Sequence, residues 1–235
     1  FAILAFAIFV SLAGFSFAAE SNLIVIQDNG PQADSTTTDA DEEIVALSTE
    51  LHGHVVHLAE EIGERNVGRK REELAATADY IEDQFTESGY EVLRQEYDIG
   101  NVVCYNVIAE IEGGERRDEI VVIGAHYDSV YRCPAANDNG SGVAATIALA
   151  RMFASRDTKR TLRFVGFANE EGPYYGTERM GSLVYARACK ERDENIVAMF
   201  SLETIGYYDD APGSQKYPPP LDRFYPDEGN FIAFV

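Results

Sequence analysis

Residues 120–142 read IVVIGAHYDSVYRCPAANDNGSG. An apolar run, Ile120–Ala125, stops on His126. Asp128 comes two positions later, and the glycine-rich turn that closes the stretch carries Asp138. A short run without polar interruption is a strand buried on both faces, as a parallel sheet contains. Ligands of open parallel sheets sit beyond the carboxyl ends of the strands, so the residues after such a run are where chemistry is expected.

Two later, nearly continuous apolar runs repeat the plan. Leu162–Ala168 ends on Asn169-Glu170-Glu171, and Ile196–Leu202 ends on Glu203, with helical stretches near 142–155 and 178–192. This alternation predicts an α/β fold, a mostly parallel central sheet with helices on both faces. Upstream, Ile44, Leu47, Leu51, Val55, Leu58 and Ile62 step by three or four, and so do Leu74, Ala78, Ile81 and Phe85. These are two helical stripes, the second stopped by Gly89. Glu91–Tyr97 and Val102–Ile111 read as an antiparallel pair at a sheet edge.

Singly, each polar residue has a plain explanation. Asp138 suits a turn or helix cap, Glu170 and Glu171 a helix N-terminus, and Glu203 an ion pair. Brought to one edge with His126, they would repel one another and resist desolvation unless a cation compensated them. One imidazole with several carboxylates suits zinc. Asp128 is placed to accept the second imidazole N–H. Of two adjacent glutamates, one can hold a metal while its neighbour takes a proton from the metal's water.

GAHYDS (124–129), PAANDNGSG (134–142), FANEEG (167–172), GTERMGS (176–182) and SLETIGY (201–207) together resemble the co-catalytic di-zinc aminopeptidases, from about Leu47 onward. That family also includes glutamate carboxypeptidase-like and glutaminyl-cyclase-like proteins. The resemblance implies two zinc ions: His126 and Glu203 on the first, Glu171 on the second, Asp138 bridging both, and Glu170 as general base. It implies hydrolysis of peptide substrates at a chain end by a zinc-held hydroxide, most simply removal of an N-terminal residue. Carboxypeptidase, cyclase and non-catalytic binding ectodomain are the alternative readings. Many members carry Asp where this chain has Glu203, and the family's last ligand, a downstream histidine, has no counterpart before Val235. As it also starts on Phe1 without Met, the chain is expected to be incomplete at both ends.

The remaining histidines invite a second metal reading. His52, His54 and His57 cluster in LHGHVVHLAEE, but on a helix His52 and His54 point roughly 160–200° apart, and no H-E-x-x-H zinc helix is present. They are expected to be surface helix residues.

Nineteen Lys+Arg against 40 Asp+Glu leave a net charge of −21, which disfavours nucleic acid and anionic membrane as partners. With only four lysines, such a surface suits a salty medium. Cys133 and Cys189 either pair or remain, with Cys104, as thiols. FAILAFAIFVSLAGFSFAA (1–19) carries no charge. It reads as a cleaved signal peptide or a retained membrane anchor, which puts the protein outside the cytoplasm, secreted or periplasmic, or anchored at a membrane. Residues 20–43 read as a polar linker before a catalytic domain at 44–235.

Overall fold

The structure, a computed structural model, describes residues 24–27 and 39–234. In chain order the elements are β1 (Ile24–Gln27), α1 (Asp39–Val56), a wide helical turn (His57–Ile62), α2 (Arg71–Glu87), β2 (Val92–Ile99) and β3 (Val102–Ile111). Then come β4 (Arg116–His126), a second wide turn (Ala136–Ser141), α3 (Gly142–Phe153), β5 (Arg160–Phe167), α4 (Gly181–Glu191), β6 (Ile196–Ser201) and β7 (Phe231–Phe234). The leader sequence, residues 1–19, lies outside the described residues. Among the described residues no helix is long and apolar enough to cross a membrane.

The central sheet has the order β2-β3-β5-β4-β6. β4 pairs in parallel with β5 and β6, whereas β3 is antiparallel to both β2 and β5. β3 alone runs against the other four strands. The α/β expectation thus holds, with a sheet that is mixed because the β2–β3 hairpin is sewn into it.

Alternate residues of the strands face opposite layers. Val107, Ala109 and Phe164 share a core with Leu74, Ala78, Ile81 and Phe85 of α2 and Val143, Ile147 and Ala150 of α3. Ile108, Val122 and Val165 pack instead with Tyr185 and Cys189 of α4. Helices therefore cover both faces. The α2 stripe is buried at every apolar position read from the sequence. Its end is closed by Gly89 at φ +94°, with the Tyr90 N–H bonded to the Phe85 carbonyl at 3.1 Å, the six-to-one bond that glycine at this position allows.

One feature departs from the sequence reading, and another selects between alternatives it left open. The segment 20–43 is not linker throughout: β1 pairs antiparallel with β7, and α1 starts at Asp39. Acidic residues near a helix N-terminus favour such an early start, ahead of the apolar stripe that begins at Ile44, which is itself exposed. All three cysteines are free thiols, so Cys133 and Cys189 do not pair.

Strand register sets the site. His126 sits beside Phe167, Gly124 beside Ser201, and the Leu202 N–H reaches the Gly124 carbonyl at 2.8 Å. The three parallel strands therefore end level, and the residues just past their carboxyl ends meet at one edge.

Candidate metal centre

His126, 4% exposed, presents Nε2 to three carboxylates: Asp138 Oδ1 at 3.2 Å, Glu203 Oε2 at 3.6 Å and Glu170 Oε2 at 3.8 Å. Its Nδ1 faces Asp128 Oδ1 at 3.4 Å and is buried without a hydrogen-bond partner. Potential ligand atoms of two trios, His126–Asp138–Glu203 and His126–Glu170–Glu171, lie within 4.8 Å of one another. All six residues singled out from the sequence are thus brought to one place. Glu171 falls into a trio with Glu170 rather than with Asp138, the partner that the resemblance implies.

Asp128 does more than face the imidazole. It is 2% exposed, its Oδ1 accepts the Glu170 N–H at 2.9 Å and its Oδ2 the Glu171 N–H at 3.0 Å. The chain can present those two N–H groups because Asn169 turns it at φ +61°. Asn169 is itself held: its Nδ2 donates to the Tyr97 hydroxyl at 2.9 Å, which donates to the Ala168 carbonyl at 3.1 Å. One buried carboxylate therefore fixes both glutamates relative to His126.

On the other side the start of α3 is stapled to the end of β6. Asn139 is fully buried. Its Nδ2 donates to the Leu202 carbonyl at 2.8 Å and Glu203 Oε2 at 3.0 Å, while its Oδ1 accepts from Gly142 at 3.1 Å and Thr204 at 3.3 Å. Ser141 Oγ accepts the Ile205 N–H and Asn137 Oδ1 the Gly206 N–H. A Cβ on Gly142 would lie 2.3 Å from the Leu202 carbonyl, so any side chain there would push the helix off the strand. Sequence reasoning passed over Asn137 and Asn139. The available signal was their flanking of Asp138, since asparagine combines turn formation with both donor and acceptor.

Non-glycine residues at positive φ gather here as well: Arg132, Ala135, Asn169 and Thr204, with Asp193 elsewhere among the described residues. Each costs about 1–3 kcal/mol and persists where surrounding bonds over-determine it, a pattern common at functional sites.

The electrostatics favour a cation at this edge. Burial alone would lower the His126 pKa, but Asp128, Asp138 and Glu203 outweigh it and hold it well above 6.5. Glu170 is pushed up to about 7 by burial, with Asp128, Glu203 and Asp138 adding and His126 opposing. Glu171 also reaches about 7, through burial and then Asp138. The cluster thus competes for protons as a surrogate cation. A divalent ion would displace them and reverse these directions. An imidazole nitrogen ringed by carboxylate oxygens is a donor set that fits zinc.

The histidines of α1 and of the wide turn that follows it do not join it. The Tyr80 hydroxyl and His54 Nδ1 share a hydrogen bond of 2.6 Å, and His57 stacks on Tyr80 and meets Glu61 at 2.6 Å. His54 is a core histidine rather than the surface residue expected, because Tyr80 of α2 covers it. Burial lowers its pKa, so folding binds fewer protons there and stability is lost as pH falls below the unfolded value of 6.5. His54→Gln is expected to cost roughly 1–3 kcal/mol and to weaken that acid dependence while zinc content stays unchanged. Urea melts at pH 5 and 8 with metal analysis test this. Loss of a metal ion would mean that a real site was dismissed.

The strand ends of this α/β sheet thus assemble an imidazole–carboxylate cluster that could hold a metal ion. The chain belongs to peptidase family M28, which matches residues 106–224. It is 40% identical over 171 residues to YfbL of Escherichia coli, covering 69% of this chain and 51% of that protein. A probable zinc metalloprotease of Pyrenophora teres is 35% identical over 108 residues, 43% of this chain and 22% of that one. The aminopeptidase YwaD of Bacillus subtilis is 33% identical over 91 residues, 39% and 19% of the two chains. Among solved structures, the aminopeptidase from Aneurinibacillus sp. strain AM-1 shares the fold with a TM-score of 0.60 at 17% identity, over 70% of this chain and 72% of that one. The chain spans about half the length of YfbL and about a fifth of each of the other two relatives.

Proposed function

We propose that this chain carries the metal-binding part of a zinc aminopeptidase that acts on peptides outside the cytoplasm. The observation that supports it most is the convergence of His126, Asp138, Glu203, Glu170 and Glu171 at one sheet edge, in a chain of a peptidase family. His126, Asp138 and Glu203 would hold one ion, and Glu171 with Asp138 would take part in holding a second. Bound zinc supplies a Lewis acid for the scissile carbonyl and makes water acidic enough to attack.

The chain's own groups do the rest. Glu170 accepts the proton of the attacking water as its oxygen bonds to the carbonyl carbon, then passes that proton to the amine as the C–N bond breaks. Asp128 keeps Glu170 within reach of that proton by holding its main chain, and faces the imidazole so that Nε2 stays turned to the cluster. The names of relatives such as YwaD favour an amino-terminal cut.

The test is hydrolysis of aminoacyl-anilides by the full-length protein. Activity should vanish with a chelator and return with zinc, and N-acetylated substrates should be inert. Cleavage of N-blocked peptides from their carboxyl ends would replace the reading with a carboxypeptidase.

A further inference from the structure

The largest fully buried side chain described is a charged one, Arg65. Its five side-chain hydrogen bonds all go to main-chain carbonyls. Nε donates to Tyr127 at 2.5 Å, Nη1 to Pro134 at 2.6 Å, Gly63 at 3.0 Å and Leu58 at 3.2 Å, and Nη2 to Ala135 at 3.1 Å. Its main chain is bound too. The Arg65 N–H donates to Ser129 Oγ at 3.0 Å, and its carbonyl accepts the Ser129 N–H at 2.9 Å. Burying a guanidinium is costly unless its donors are satisfied, and hydrophobic packing alone would not select it here.

Tyr127, Ser129, Pro134 and Ala135 all belong to the loop between His126 and Asp138. Tyr127 and Ser129 flank Asp128, the carboxylate that holds Glu170 and Glu171. Ala135, at φ +53°, also accepts the Gly140 N–H at 3.0 Å, two residues past Asp138. The two ends of the loop therefore share one fork. We infer that Arg65 is a positioning residue for the metal centre, clamping both ends of the 127–135 loop so that Asp128 and Asp138 are held against His126.

Charge and geometry make opposite predictions, which allows a clean test. Arg65 is pushed down to about 10 by burial, with Asp128, Cys133 and Asp138 opposing, so it stays cationic at neutral pH. If it acted only as a charge, Arg65→Met would remove a repulsive cation and tighten zinc binding, and Arg65→Lys would change little. If it acts as a clamp, both variants weaken zinc, because a lysine ammonium donates from a single point and cannot span Tyr127 and Ala135.

This inference rests on the proposed zinc centre, and the experiment keeps the two separate. Zinc is titrated into the full-length wild type, Arg65→Lys and Arg65→Met against a chromogenic chelator, and amide exchange is followed on the metal-free proteins. Both variants, folded by circular dichroism, should lose about 10–100-fold in zinc affinity, the usual scale for residues that orient ligands. The Ser129 and Gly140 amides should exchange faster in both. Folded variants with wild-type affinity and protection would overturn the clamp, as would tighter zinc in Arg65→Met. Failure of both variants to fold would also overturn it, because Arg65 would then serve the whole fold. Wild type that binds no zinc would refute the metal reading, while the amide data would still judge the clamp.

Discussion

Glu170→Gln is expected to lower kcat by about 10²–10⁴-fold, the scale for losing a general base, while zinc content stays at the wild-type level. The substitution is nearly isosteric and spares the main-chain bond to Asp128, so the turn should survive. What disappears is the ability to accept a proton. Glu171→Gln makes the contrast. It keeps the same turn through the second Asp128 oxygen, but it replaces an anionic ligand by a neutral one and should shed zinc. Metal analysis and kinetics on both variants separate the roles. An active Glu170→Gln, or one that loses zinc as readily as Glu171→Gln, would show that the two neighbours are interchanged.

The placement of these groups was legible because strand length and strand ending are local properties. Apolar runs at 120–125, 162–168 and 196–202 announced parallel strands, although the third, β6, is a half-buried edge strand with Phe200 exposed. The residue type after each announced chemistry. The register that makes the ends level is a property of three strands together, yet any parallel arrangement of such runs brings their carboxyl ends to one side. What stayed hidden was support by residues distant in sequence. Arg65 lies in GERNVGR, with nothing in its neighbours to mark it as buried, since three of its five carbonyl partners are 62 to 70 positions away. Asn139 looked like one more turn residue. The burial of His54 depended on Tyr80, 26 residues off. The antiparallel pair read at 91–97 and 102–111 is found at the sheet edge. What the sequence left open is that β3 also runs antiparallel to its inner neighbour β5, a pairing between segments distant in sequence.

Asp138→Ala should remove both ions, whereas Glu203→Ala or Glu171→Ala should weaken only one. Zinc bound by a full protein ligand set carries about 10–16 kcal/mol, so one ligand of three or four accounts for several kcal/mol, roughly 10²-fold or more in affinity. A carboxylate shared by two sites exerts that loss twice, and activity should fall below detection. The metal-free proteins should behave in the opposite way. Besides burial, Asp138 raises the pKa values of Glu170 and Glu171 while pairing with His126 at 3.2 Å. Without a cation, the repulsion relieved by its removal offsets the lost contact with the imidazole. Metal-free Asp138→Ala should therefore unfold at a temperature equal to or above that of metal-free wild type. With zinc present it should unfold below wild type, because ligand binding no longer stabilises its folded state. This reversal is what separates a metal ligand from a helix-capping aspartate. A cap stabilises the start of α3 whether or not metal is present, and its loss would lower both melting temperatures by a similar amount. Thermal melts in chelator and in zinc, with ion counts after dialysis, decide between them. One zinc retained at wild-type affinity in Asp138→Ala would rule out the shared role.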